Sequence, residues 1–135
     1  DGLVQAKPVS VTLDMSDALK VRADSEHLHR IGVNLVRNAA QAMAEAGTKE
    51  PMIRVEAETA ETRIAIRFAD NGPGLPPKAR EHLFEPFTGS VGRGGTGLGL
   101  ALSRELARGM GGDLTLRESG PNGTAFELTL PLAGV

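Results

Sequence analysis

The alternation of apolar and polar positions divides this chain into strand-like and helix-like stretches. Val9, Val11 and Leu13 alternate with polar residues, the period of a half-buried strand, and 19–23 offers a short second one. Leu28, Ile31, Leu35, Val36, Ala39, Ala42, Met43 and Ala46 then recur at helical spacing, with Asp24 or Ser25 as N-cap and Gly47 as C-cap. Ile53, Val55 and Ala57 alternate, and Ile64, Ile66 and Phe68 do so again, with Ala60 to Thr62 as the turn of a hairpin. The second of these strands must stop at Asp70-Asn71-Gly72-Pro73-Gly74. A short helix is expected over 77–83, with Pro in its first turn. Thr96 can cap a further helix carrying Leu98, Leu102, Leu106 and Met110, closed by Gly111-Gly112. Leu114 and Leu116 give one more strand face. A turn over 120–123 leads to its partner, with Phe126, Leu128 and Leu130.

Hairpins exclude an all-parallel, doubly wound sheet. The pattern predicts an α/β two-layer sandwich, a mostly antiparallel sheet with helices on one face. The 135 residues suit a single domain over 1–135, and the start at Asp1, without Met, suggests a fragment of a longer chain. A net charge of −2 is too balanced for a general nucleic-acid or anionic-membrane binder. Having no Cys removes disulfide, thiolate-zinc and thiol chemistry together. With no Trp or Tyr and four Phe, base-stacking platforms are also disfavoured. No apolar run approaches the ~20 residues of a membrane span.

Glycine is the outlier. Eleven of the 17 glycines fall between Gly72 and Gly112, six of them from Gly89 to Gly99. Leu75 to Gly95 has at most one short helix, and loops beyond ~12–15 residues are usually binding loops, lids or disordered insertions. Glycines ahead of a helix leave backbone N–H groups and the positive dipole end free, an arrangement suited to phosphate. The Walker pattern is missing, because no Gly-Lys pair occurs. A G-x-G-x-x-G at Gly92, Gly94 and Gly97 lacks the preceding apolar strand of a dinucleotide fold.

Asn34 and Asn38 share one face of the long helix, with Gln41 beside them. Asn is a poor helix former, so the face is either solvated or functional. An amide oxygen is a neutral, hard ligand suited to Mg²⁺. Asp70 is its complement, a carboxylate at the end of an apolar strand, where an adenine amino group could supply the donor that burial demands.

In order, these residues resemble the ATP-binding domain of sensor histidine kinases, in the GHKL superfamily of gyrase, heat-shock chaperone, histidine kinase and mismatch-repair ATPases. The N-box is similar to Asn34-Leu35-Val36-Arg37-Asn38-Ala39, and the first glycine box to Asp70-Asn71-Gly72-Pro73-Gly74. The F-box is similar to Phe84-Glu85-Pro86-Phe87, the second glycine box to Gly95-Thr96-Gly97-Leu98-Gly99-Leu100, and the closing strand to Gly123-Thr124-Ala125-Phe126.

The resemblance implies the Bergerat (GHKL) fold and ATP with Mg²⁺. Asp70 would bind the adenine amino group, with Thr124 nearby and Gly72 and Gly74 shaping the pocket. Asn38 would ligate Mg²⁺ and Asn34 assist at the phosphates. Residues 75–95 would form the ATP lid, packed by Phe84 and Phe87. Gly95, Thr96, Gly97, Leu98, Gly99 and Leu100 would frame the phosphate site. Arg93 is the candidate for the γ-phosphate, with Lys78 and Arg80 competing.

ATP-hydrolysing branches carry Glu where this chain has Asn34, and an amide cannot activate water as general base. The kinase branch is therefore favoured, and the run Arg37 to Ala42 looks like its nitrogen-regulation type. Gln41 stands where many members have Lys. His27, His29 and His82 lack the acidic follower of a phosphoacceptor and read as surface histidines. The partners implied are a helical dimerisation and phosphoacceptor domain of the same protein and a downstream response regulator, without nucleic acid or direct membrane contact. The compartment implied is cytoplasmic, and a membrane anchor on the parent protein is compatible with it. A non-catalytic module of the same fold, or a GHKL ATPase, is the alternative.

Overall fold

The computed structural model describes residues 10–14, 25–85 and 99–131. Helix α1 (Ser25–Ala46) forms along the longest apolar stripe. It is closed at Gly47, whose φ of 68° lies in the left-handed region. The Gly47 N–H donates to the Ala44 carbonyl (3.2 Å) and the Thr48 N–H to that of Met43 (2.9 Å), the two bonds of a Schellman stop.

Beyond it lie strand β2 (Met52–Ala60), strand β3 (Arg63–Asp70), the short helix α2 (Pro77–Glu81), helix α3 (Gly99–Gly109), strand β4 (Asp113–Gly120) and strand β5 (Gly123–Pro131). Both expected hairpins form, β2 with β3 and β4 with β5. Strand β1 (Ser10–Asp14) precedes α1 and lies parallel to β2, so α1 is the crossover between them. The sheet order is β1-β2-β3-β5-β4, and every pairing except the first is antiparallel. The second strand expected over 19–23 lies outside the described residues.

The core sits between the sheet and the helices. Ile31, Leu35 and Met43 of α1 and Ala107 of α3 pack on Ile53, Val55, Ile64, Ile66, Leu114, Leu128 and Leu130 from alternate strand positions. The opposite sheet face carries ion pairs, Arg54 with Glu56 (3.6 Å), Arg67 with Glu118 (2.6 Å) and Arg117 with Glu127 (4.0 Å). This is the predicted α/β two-layer arrangement.

Two helix faces differ from the expected ones. Ala42 and Ala46 of α1 are exposed rather than core. The α1 stripe is wider than the core beneath it, and its Val36, Ala39 and Ala42 edge lines a cavity instead. On α3, Leu102 is 44% exposed, while Ser103 and Ala107 are fully buried. Small side chains let α3 lie close to α1, so the buried face follows 103 and 107 rather than the large residues at 102, 106 and 110; Leu106 and Met110 are partly buried at its border. The expected stop is observed: the N–H of Gly111 reaches the Arg108 carbonyl and that of Gly112 the Ala107 carbonyl. The expected Thr96 cap lies outside the described residues.

Candidate functional site

The cavity opens between α1 and the sheet, where β3 and β5 pair Asp70 with Thr124. Leu35, Val36, Ala39 and Ala42 form its helical wall, and Ile53, Phe68 and Phe126 come from the sheet. Pro73, Gly74 and Leu75 come from the turn after β3, and Leu100 from the first turn of α3. Among the described residues that line it, three have polar side chains, Asn38, Asp70 and Thr124, and of these Asp70 alone is ionisable. A mostly apolar slot with a few fixed polar atoms is the usual form of a small-molecule site.

Asp70 is placed by being the last residue of β3 on the inward-facing side. The Gly72 N–H donates to its Oδ1 at 2.8 Å, folding the chain back on the carboxylate. Burial pushes its pKa above the ordinary 3.8, and backbone hydrogen bonds from Gly72 and Thr124 oppose this without overcoming it. A Cβ on Gly72 would lie 2.9 Å from Met43 Cγ and 3.0 Å from Asp70 Oδ1, so this turn requires glycine. Gly74 has φ +85° and a Cβ there would meet the Gly120 carbonyl oxygen at 2.3 Å, which pins the cavity wall to the end of β4.

Of the residues expected at the site, Asn38, Asp70, Gly74, Leu100 and Thr124 surround this one cavity. Gly72 is buried beside Asp70. Asn38 is exposed at the rim, 3.8 Å from where a Cβ on Gly99 would stand. Asn34 sits a turn away and turns toward α3, its Nδ2 donating to the buried Ser103 Oγ at 3.1 Å. It lines a second, open crevice with Arg37 and Leu102. Lys78 and Arg80 lie exposed on α2 and do not line the cavity. Phe87, Arg93, Gly95, Thr96, Gly97 and Leu98 fall outside the described residues.

Phe84 is one step removed from the cavity. Its ring meets that of Phe126 edge-on at 6.4 Å, and the Arg104 guanidinium lies 4.3 Å from its centroid. Arg104 is held in turn by Asp113, which accepts from Arg104 Nε and Arg108 Nε at 3.1 Å each and from the Leu114 N–H at 2.8 Å. Burial alone would raise the Asp113 pKa, but these hydrogen bonds outweigh it and hold the carboxyl below its ordinary value.

By sequence alone Asn71 is one residue of a glycine-rich turn. Its Oδ1 accepts the Met52 N–H (2.8 Å) and its Nδ2 donates to the Glu50 carbonyl (3.1 Å), tying the entry of β2 to the turn beside Asp70. Ser103, Arg104 and Ser119 were also missed, because each acts on a residue distant in sequence. His82 is exposed beside Glu85 (3.0 Å) and Glu81 (3.8 Å), and its hydrogen bond to Glu85 is the largest cause of a raised pKa.

Comparison with known proteins agrees with this geometry. The C4-dicarboxylate transport sensor protein DctB of Rhizobium meliloti is 38% identical over 125 residues, 92% of this chain and 20% of its own. The chain thus spans about a fifth of the length of that relative. The solved mycobacterial sensor histidine kinase MprB superposes with a TM-score of 0.74 at 29% identity, over 92% of this chain and 82% of the other. Full-length ShkA in complex with AMPPNP gives 0.77 at 28% identity, over 94% of this chain and 26% of the other. Residues 23–134 match the family of histidine kinase-, DNA gyrase B- and HSP90-like ATPases, and the chain belongs to that family.

Proposed function

We propose that this chain binds Mg-ATP and presents its γ-phosphate for transfer to a histidine on a separate helical dimerisation domain, in two-component signal transduction. The observation that carries the reading is Asp70, among the described residues the one ionisable group in a mostly apolar cavity whose other polar side chains are Thr124 and Asn38. A carboxylate there accepts from the amino group of adenine, and the glycine-permitted turn sets Gly72 against it and Gly74 on the cavity wall. Thr124 supplies the second polar contact to the base.

Asn38 fits a Mg²⁺ ion that is shared with phosphate. It is a neutral oxygen ligand at the rim, and among the described residues no three His, Cys, Asp or Glu gather into a cage. Such an ion takes most of its ligands from water and phosphate, and it neutralises charge on the phosphate oxygens. Asn34 then assists at the phosphates. In this reading the backbone N–H groups of Gly97 to Leu100 hold phosphate, with Gly99 and Leu100 at the start of α3, and 75–95 is the ATP lid with Arg93 as its γ-phosphate cation. Phosphoryl transfer is largely positioning and charge stabilisation, which these residues supply once the acceptor is docked.

Asn34 also favours transfer over hydrolysis, because its amide accepts no proton from water. The relatives named as sensors support this branch. The resemblance of the Arg37 to Ala42 run supports the nitrogen-regulation type as the branch in this reading. In this reading residues 1–135 are one module of a longer, cytoplasm-facing kinase that phosphorylates itself and then a response regulator. Among the described residues no helix is long and apolar enough to cross a membrane.

The test is a calorimetric titration with Mg²⁺ and a non-hydrolysable ATP analogue, followed by ATP labelled at the γ-position and a histidine-bearing helical partner domain. Saturable binding and label on the partner histidine are expected. No binding up to millimolar nucleotide would refute the reading.

A further inference from the structure

Ser119 does not line the cavity, yet it holds two residues that do. Its Oγ accepts the Leu75 N–H at 2.8 Å and lies 3.1 Å from Thr124 Oγ1. A strand irregularity puts it there. The β4–β5 ladder runs Leu116 opposite Phe126 and then Glu118 opposite Ala125, leaving Arg117 as the extra residue. Without that bulge, Glu118 would face Thr124. With it, Ser119 does.

A hydroxyl has one proton to donate and two lone pairs to accept with. Leu75 takes one lone pair of Ser119. Among the described residues the Ser119 hydroxyl meets only one other hydrogen-bonding group, Thr124 Oγ1. Donating to Thr124 satisfies the Ser119 proton, whereas accepting a second proton from Thr124 would leave it without a protein partner. The favoured arrangement therefore frees the proton of Thr124, a residue only 7% exposed, to donate into the cavity. Beside it, the Asp70 carboxylate offers acceptors. An acceptor next to a donor matches the edge of a 6-aminopurine, an amino group beside an unprotonated ring nitrogen. A 6-oxopurine presents the reverse pattern.

We propose that Ser119 is a positioning residue that fixes the Thr124 hydroxyl as a donor toward the base, and so sets the preference for 6-amino over 6-oxo purine nucleotides. The role rests on the nucleotide-binding reading above. The bulge at Arg117 is then a functional feature of β4, because it delivers Ser119 to the back of the cavity.

The experiment is a calorimetric comparison of ADP and IDP on the whole chain, for the parent, Ser119→Ala, Ser119→Thr and Thr124→Val, with melting curves for each. Ser119→Ala is expected to lower the ADP-to-IDP affinity ratio about fivefold, the order of one neutral hydrogen bond. Ser119→Thr keeps the hydroxyl and is expected to hold the ratio within about twofold of the parent. In a Thr124→Val background, Ser119→Ala is expected to leave the ratio unmoved. Should Ser119→Ala fail to fold, Ser119→Cys, a poor donor of similar shape, gives the same comparison. An unchanged ratio in Ser119→Ala, or an equal fall in Ser119→Thr, would overturn the proposal. Failure of the parent to bind ADP at all would instead overturn the nucleotide reading itself.

Discussion

Asp70→Asn separates the cost of a buried charge from its use. The exchange keeps size and shape. In the parent, Asp70 Oδ1 accepts the Gly72 N–H at 2.8 Å, and the Thr124 backbone also hydrogen-bonds the carboxyl. In the Asn variant the remaining oxygen keeps the Gly72 donor, so the amide NH₂ takes the place of the other carboxylate oxygen. A base amino group there meets a donor where it had an acceptor. A hydrogen bond to a charged group is worth about 1.5–3 kcal/mol, so Kd for an adenine nucleotide is expected to rise roughly 10- to 150-fold.

Stability moves independently. Burial raises the Asp70 pKa above its unfolded value near 3.8, so the ionised form costs stability at neutral pH. Protonation favours the native state of such a group. The parent therefore gains stability relative to Asp70→Asn as the pH falls through its raised folded value. At neutral pH the Asn variant is expected to melt no lower than the parent while binding far more weakly. Calorimetric titration and thermal melts at neutral and mildly acidic pH read both quantities. Unchanged affinity, or binding lost together with the fold, would refute the assignment of Asp70 to the ligand.

Three further outcomes follow from named contacts. Gly123→Ala is expected to cost about 3 kcal/mol in urea denaturation, because φ is +143° and the new Cβ would stand 2.0 Å from the Asp70 carbonyl oxygen. Asp113→Asn is expected to destabilise the chain by less than about 1 kcal/mol at neutral pH, since the ion pairs are partly exposed and screened by solvent. Because the Asp113 pKa is lowered, that contribution is full above the ordinary carboxylate range. It is expected to vanish as the pH falls through the depressed value, with urea midpoints of the two proteins converging in acid. Asn34→Glu places a general base where the amide stood, and Ser103 can hold it by donating its own hydroxyl proton. A phosphate-release assay is expected to show ATP hydrolysis above the parent's, and its absence would remove the explanation for the branch.

Local chemistry was legible in the residues themselves. The alternation at 53–57 and 64–68 marked one hairpin, and Gly47 and the Gly111-Gly112 pair marked two helix ends, because strand period and left-handed stops are properties of a few neighbouring residues. Asp70 at a strand end and Asn38 on a helix face were legible for the same reason, and the resemblance of the boxes joined them into one site. The α3 stripe was misread at Leu102, since hydrophobic size says nothing of how near α1 lies.

By itself, then, the sequence determined the type and order of the described elements and the mostly antiparallel two-layer class, and it displayed the polar groups that the proposed reading offers to a nucleotide. Tertiary structure alone decided that β1 joins β2 in parallel and that Asn34 turns toward Ser103. It also decided that Arg104 bridges Asp113 to Phe84, and that a bulge at Arg117 delivers Ser119 to Thr124. The physical reason is range. Periodicity and turn chemistry are fixed by backbone dihedrals within a few residues. Register across β4 and β5, and the approach of α1 to α3, are fixed only when elements far apart in the chain share one core.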